Sequence, residues 1–358
     1  MALFGELLLR AYYFQRLSST KCAIVQAVNS AINIAAHRKA RNSIRSTINE
    51  LGFSNENDMP LSIRNILHRS LYSSEGSSVL SEFRIQYEES FSGLIADIRS
   101  VDSIPFVLYM PSDEYTQRTL YRRDKCRQFY SNLCAKLNVD FLDVTDKCLE
   151  YRCDWVTLLP RNGHFSRFGN QLVASELADR LGKYKQHRSG WKAAKKPVLY
   201  GDLEPGSKIW EMPPEMPYFV QINSQGLRMD GDITFPKTKQ RILCLGDSFT
   251  FGPYLENHDC YPQQLEAVLD DTEVINGGVS GYTITDEAGM FSERAKYLEP
   301  DITVIQVLDN DLYDMFFFQK NTYARDKRGY AATPEETILF KSLKKNQWIK
   351  VFVIWVLY

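Results

Sequence analysis

Apolar residues recur at three- and four-residue steps from Val79 onward, at Leu80, Phe83, Tyr87, Phe91, Leu94 and Ile98, which predicts an amphipathic helix. The run Pro105-Phe106-Val107-Leu108-Tyr109-Met110-Pro111 that follows is short, continuously apolar and bounded by prolines, the profile of a buried strand. A second helical stretch at about 116–137 leads into a strand at 139–144. A loop containing His164 then precedes a helix over Arg167–Leu181, with Leu172, Val173, Leu177 and Leu181 on one face. After an interruption the alternation resumes. Strands are predicted at 241–245, 273–275 and 302–308, and helices at Tyr261–Leu269 and Thr285–Leu298. Five apolar strands separated by helices predict an α/β fold built on one doubly wound, five-stranded parallel sheet.

The remaining segments lack such periodicity or lie outside the alternation. Residues 1–52 read as helical and 53–77, rich in Ser and Asn, as loop. Residues 183–200 are basic and poor in apolar side chains and read as a linker, and 201–238 read as irregular. This divides the chain into 1–182, a linker and irregular lead-in at 183–238, and 239–358.

Composition narrows the function classes. Hydrophobic residues make up 44% and charged residues 24% of the chain, ordinary for a globular protein, and the net charge of -1 gives no footing for a nucleic-acid partner. The seven cysteines (22, 126, 134, 148, 153, 244 and 260) show no paired spacing of a zinc site or disulfide framework and read as free thiols, so no metal is expected. Glu6 and Arg10 interrupt the apolar N-terminus, which is not the pattern of a secretory signal; a cytoplasmic location is the default expectation. The apolar stretch WIKVFVIWVLY at the other end has eleven residues, short of the ~20 needed to span a bilayer, so no clear membrane span is expected.

The candidate chemistry lies where predicted strands end. Leu245-Gly246-Asp247-Ser248 directly follows a strand, and the carboxyl end of a strand in an open parallel sheet is where reactive groups sit. A serine there suits a nucleophile that supplies part of its own oxyanion hole. Alone, Gly-Asp-Ser reads more readily as a turn. Two further loops follow the next two strands: Asn276-Gly277-Gly278-Val279-Ser280-Gly281, then Leu308-Asp309-Asn310-Asp311. The glycines of the former lack the spacing of a dinucleotide-binding loop.

This ordered set resembles blocks I, II and III of the SGNH (GDSL) hydrolase family, and Ile222-Asn223-Ser224-Gln225-Gly226-Leu227-Arg228 is similar to the lead-in before block I in bacterial members. The family's histidine block has its counterpart upstream, in Asn162-Gly163-His164-Phe165-Ser166 and the helix after it. The resemblance therefore implies a flavodoxin-like sheet with its halves in circularly permuted order, residues 1–182 matching the late half and 239–358 the early half. The competing arrangement is a fragment of a tandem array with two incomplete copies. The family's strand order places 241–245 at the centre, flanked by 273–276 and 302–308, with 105–110 beside 302–308 and 139–144 at the edge.

The resemblance also implies a mechanism. Ser248 is the nucleophile on an acyl ester of a small molecule or carbohydrate, and His164 is the base. The N–H groups of Ser248 and Gly281 and the Asn310 amide form the oxyanion hole, with no cofactor. An esterase, an O-acyltransferase on the same residues, and a non-catalytic binding module are the three outcomes to separate. One position departs from the family, which places an Asp two or three residues before the His. Here Arg161 and Asn162 stand there, and Asp154 is the nearest upstream carboxylate. Asn162 can orient the imidazole but adds no negative charge. Asn162→Asp is therefore expected to raise p-nitrophenyl acetate hydrolysis, recovering part of the roughly 10⁴-fold that the reverse change costs in a serine protease. If Asn162→Asp and Arg161→Asp both fold and leave the rate unchanged, the orienting group lies elsewhere.

Overall fold

The structure is a computed structural model that describes residues 78–111, 117–151, 163–193, 196–211 and 218–312, with short stretches at 324–325 and 331–332. The sequence-predicted helix at 1–52, the loop at 53–77, the apolar end at 348–358, and Asp154, Arg161, Asn162, Cys22 and Cys153 lie outside the described residues.

The chain alternates helix and strand as its apolar pattern requires. In order come α1 (Ser78–Ser100), β1 (Ile104–Tyr109), α2 (Gln117–Leu137), β2 (Asp140–Asp143), α3 (Thr145–Glu150) and α4 (Arg167–Leu181). An antiparallel pair, β3 (Lys208–Glu211) and β4 (Tyr218–Gln221), precedes β5 (Gln240–Leu245), α5 (Ser248–Phe251), α6 (Tyr261–Val268), β6 (Thr272–Asn276), α7 (Ile284–Glu293) and β7 (Ile302–Val307). The main sheet has five strands in the order β2-β1-β7-β5-β6, all parallel. Strands from both halves of the sequence thus share one sheet.

Side-chain alternation decides how the layers stack. Successive strand residues point to opposite faces, so Val107, Tyr109, Leu243, Leu245, Ile305 and Val307 enter one core. Phe106, Leu108, Ile242, Cys244, Ile302 and Val304 enter the other. The first core is covered by α1, α2 and α7 through residues such as Phe91, Tyr130 and Phe291, the second by α4 and α6 through Leu172, Leu177 and Leu265. Burial on both faces explains why these strands read as continuous apolar runs rather than alternating ones. Cys126, Cys134, Cys148, Cys244 and Cys260 are buried. Burial pushes the Cys244 and Cys134 thiols up to about 12.

Three sequence expectations need correction. The strand at 241–245 has the expected neighbours, but the middle strand is β7; a five-strand order with 105–110 and 139–144 on one side puts 302–307 at the centre. The helix expected over 285–298 ends at Glu293, because Arg294 leaves helical geometry and a 3₁₀ turn, Ala295–Leu298, follows. The irregular segment 201–238 contains the β3–β4 pair.

The basic segment at 183–200 also proves to be anchored. The Ser189 N–H donates to Asp301 Oδ1 at 2.6 Å and its hydroxyl to the Val101 carbonyl at 2.8 Å. Gln240 Nε2 donates to the Tyr184 and His187 carbonyls, and Arg188 pairs with Asp271. These partners lie just before or at the start of β1, β5, β6 and β7, so the segment straps the amino edge of the sheet. Its hydrogen bonds are made largely by backbone, and its few packed side chains, Tyr184, Trp191 and Tyr200, follow no apolar periodicity.

Asp301 is the centre of that edge. It has no exposed surface, and besides Ser189 it accepts from Lys237 Nζ and the Arg241 N–H, both at 2.7 Å. Asp301→Ala would strand a buried ammonium and two N–H groups. The variant is expected to lose about 3–5 kcal/mol in urea unfolding; a loss below about 1 kcal/mol, the scale of a surface pair, would show that the strap does not hold this edge.

Candidate active site

β5 ends at Leu245, and two features make the turn after it tight. A Cβ on Gly246 would collide with Thr250 Oγ1 and Gln306 Oε1, so only glycine fits between the strand and the first turn of α5. Asp247 then caps that turn, its Oδ1 accepting from the Phe249 N–H at 2.9 Å. Gly252 closes the other end in left-handed geometry at φ 81°. Ser248 is the first residue of this single turn and half-buried, while its neighbours Phe249, Thr250 and Phe251 are buried.

The histidine reaches it from the other half of the sequence. His164 lies just before α4, whose start is fixed by Ser166 accepting from the Gly169 N–H. Asn170 adds an anchor: its Nδ2 donates to the Ser166 carbonyl, and its Oδ1 accepts from the Tyr261 N–H at the start of α6. His164 Nε2 lies 2.9 Å from Ser248 Oγ, a hydrogen bond between residues 84 apart in sequence. The imidazole packs against Phe249 at 5.1 Å and Tyr254 at 5.9 Å between ring centroids.

The other two candidate loops leave the carboxyl ends of the strands on either side of β5. The loop after β6 lies directly on the Ser248 turn: the Val279 N–H donates to the Gly246 carbonyl at 3.0 Å, and a Cβ on Gly278 would strike the Phe251 nitrogen and Thr250. Gly281 follows in that loop, exposed and left-handed at φ 77°. Asn310 sits half-buried in the turn after β7. The four candidate residues therefore lie at one edge of the sheet, Ser248 and His164 in direct contact and Gly281 and Asn310 on the loops that flank β5 there. Asn162, the candidate orienting residue, lies outside the described residues. No group of three or more His, Cys, Asp or Glu side chains among the described residues could hold a metal ion.

Beneath the serine lies a set of buried carboxyls that the sequence reading did not single out. Burial pushes Asp247 up to about 6, against the stabilising effect of backbone N–H groups at Phe249, Ser248 and Asp247 and of Gln306. Burial first, and then the charges of Asp311 and Asp247, push Glu287 well above the usual carboxylate range. Asp311 moves the same way, from burial and then Asp247, although its Oδ2 accepts from the Leu308 N–H and the Tyr130 and Tyr87 hydroxyls. Three carboxyls this close and this dry do not all ionise near neutral pH. Glu287 had one sequence signal, since it falls on the buried face of α7 with Ile284, Met290 and Phe291.

The fold and site together define a doubly wound α/β domain with a serine–histidine pair at the carboxyl edge of its parallel sheet. No protein-family model matches the chain, and no curated protein matches it. Among solved structures it is similar to the O-acetyltransferase domain of Pseudomonas putida AlgJ, at 14% identity and a TM-score of 0.42, over 76% of this chain and 91% of that one. It is also similar to Pseudomonas aeruginosa AlgX, at 13% identity and a TM-score of 0.39, over 67% of this chain and 62% of that one.

The carboxyl cluster makes a signed prediction. A carboxyl whose folded pKa lies above its unfolded value stabilises the fold below the unfolded pKa and loses that contribution as pH rises through the folded one. Glu287→Gln removes the titrating group and keeps its shape. The variant is expected to melt close to the wild type at pH 4 and above it at pH 8. A gap that does not change with pH would mean that Glu287 ionises without cost.

Proposed function

We propose that this chain is a serine-dependent acyl-transfer enzyme of the SGNH/GDSL type, folded as one domain from halves in permuted order. The observation that carries the reading is the 2.9 Å contact between His164 Nε2 and Ser248 Oγ at the carboxyl edge of a parallel sheet. As base, His164 carries its proton on Nδ1 and takes the hydroxyl proton on Nε2. Ser248 Oγ attacks the ester carbonyl, and the oxyanion is held by the Ser248 and Gly281 N–H groups and the Asn310 amide. Collapse of this intermediate breaks the bond to the leaving alcohol, which takes the proton from His164, and leaves the acyl group on Ser248. Asn162 is the candidate for holding the imidazole in the productive tautomer.

The second half-reaction depends on the acceptor. With water the enzyme is an esterase; with a sugar hydroxyl it is an O-acyltransferase, and the Pseudomonas putida domain is named an O-acetyltransferase. Both use the same residues, so the acyl-enzyme is the common claim and the acceptor is a separate one. The substrate class is an acyl ester of a small molecule or glycan.

The test is turnover of p-nitrophenyl acetate with and without added oligosaccharides. Ser248→Ala and His164→Gln are each expected to lower turnover on the order of 10⁴–10⁶-fold. Acylated oligosaccharide forming in place of free acid identifies the transferase. Turnover that survives in both variants would leave a binding module that keeps the serine and histidine without using them.

A further inference from the structure

Arg228 is among the largest fully buried side chains of the protein, with no exposed surface, and the acyl-transfer mechanism does not use it. Its guanidinium reaches the far side of the nucleophile turn. Nη1 donates to the Phe251 carbonyl at 2.5 Å and the Gly252 carbonyl at 2.6 Å. Nη2 donates to the Leu255 carbonyl at 2.5 Å, and Nε to Asn257 Oδ1 at 3.0 Å. Asn257 is fixed in turn, its Nδ2 donating to Asp230 Oδ1 and the Gln221 carbonyl. The four bonds all end on neutral oxygens, and the cation lies over the Phe251 ring at 4.6 Å.

The segment held this way is unusual in its backbone. Gly252 and Tyr254 both have positive φ, at 81° and 67°. For a tyrosine that geometry persists only where the surroundings over-determine it. Tyr254 is also the ring that packs against His164, with Tyr218 on it at 5.7 Å. One guanidinium thus fixes the end of the turn that begins with Ser248 and the segment that presents an aromatic ring to His164. A planar fork of five donors can serve three separate carbonyls and an amide at once, which the ammonium of a lysine cannot.

We propose that Arg228 is a positioning residue for the serine–histidine pair. It sets the separation of Ser248 Oγ and His164 Nε2 by clamping residues 251–255. The proposal rests on the acyl-transfer reading for its kinetic consequence, and on the geometry alone for its structural one.

The experiment compares the full chain with Arg228→Gln, Arg228→Lys and Arg241→Gln. Arg241 is the control because it is equally buried but holds the opposite, amino edge of the sheet through Glu273 and the Leu298 carbonyl. The first readout is the rate at which a fluorophosphonate probe labels Ser248. Displacement of a reacting group by about 1 Å can cost roughly 10²-fold, the loss expected in Arg228→Gln with the probe's half-saturation unchanged. Arg228→Lys is expected to recover part of it, to within about 10-fold of wild type, because it keeps the charge but not the fork. Arg241→Gln is expected to lower the melting temperature and leave the labelling rate where it was.

The second readout needs no activity: the imidazole proton resonances of His164 by NMR. They should shift in Arg228→Gln and not in Arg241→Gln. If the wild type is not labelled, the acyl-transfer reading fails, and these resonances alone decide the positioning claim. If Arg228→Gln does not fold, Arg228→Lys is measured in its place. Unchanged labelling, or, where the wild type is not labelled, unchanged His164 resonances, in a folded Arg228 variant overturns the proposal.

Discussion

The site exists because β1 pairs with β7. That ladder runs in parallel register from Ile104 opposite Ile302 to Tyr109 opposite Val307. It joins the half of the sequence that carries His164 to the half that carries Ser248. The Ile104 N–H donating to the Asp301 carbonyl and the Met110 N–H to the Val307 carbonyl extend it at both ends. Ser103 and Thr303 meet through their hydroxyls at 2.9 Å beside it. A slip of one residue would turn Val107 and Tyr109 toward the core now filled by Phe106 and Leu108. It would also move the loops at the carboxyl edge relative to one another by about 3.3 Å, more than the tolerance of a hydrogen bond.

The two edges of the sheet divide the labour. The amino edge is tied by charge and backbone polarity: Asp301 with Lys237, Arg241 and the strap at Ser189. The carboxyl edge is built from glycines that let loops approach closely and from polar groups buried just below the surface. Thr250, Tyr261 and Gln306 share hydrogen bonds there, Thr250 Oγ1 lying 3.1 Å from each of the other two. Asp247 is part of the same layer and caps the Ser248 turn. The strained and electrostatically costly features gather near the serine: Gly246 without room for a Cβ, Tyr254 at positive φ, and carboxyls that resist ionisation. Placement of such costs at a reactive site is the usual pattern in folded proteins.

Much of this was legible in the residues. The buried runs at 105–110, 241–245 and 302–308 announced strands covered on both faces, and the loops after 241–245, 273–276 and 302–308, where the candidate residues Ser248, Gly281 and Asn310 were sought, do leave the carboxyl edge of the sheet. The counterpart to that legibility is what depends on tertiary partners. Ser189 and Gly190 carry no apolar signal, so a strap held by Asp301 and Asp102 looks like a linker. The β3–β4 pair lies among prolines and is too short for its alternation to stand out. Arg228 was visible only as the last residue of a motif, because nothing in a sequence shows that three carbonyls will converge on a guanidinium. Asp311 read as part of a loop, since its raised pKa comes from burial beside Asp247, a residue 64 positions away.

The central claim is that Ser248 carries an acyl group during turnover and that His164 puts it there. Rapid quenching of the enzyme with an activated acetyl ester, followed by peptide mass spectrometry, tests it directly. The account predicts acetyl on the peptide containing Ser248 in the wild type, none in Ser248→Ala, and accumulation slowed by orders of magnitude in His164→Gln. Acetyl appearing elsewhere in the chain, or appearing on Ser248 at the same rate without His164, would contradict it.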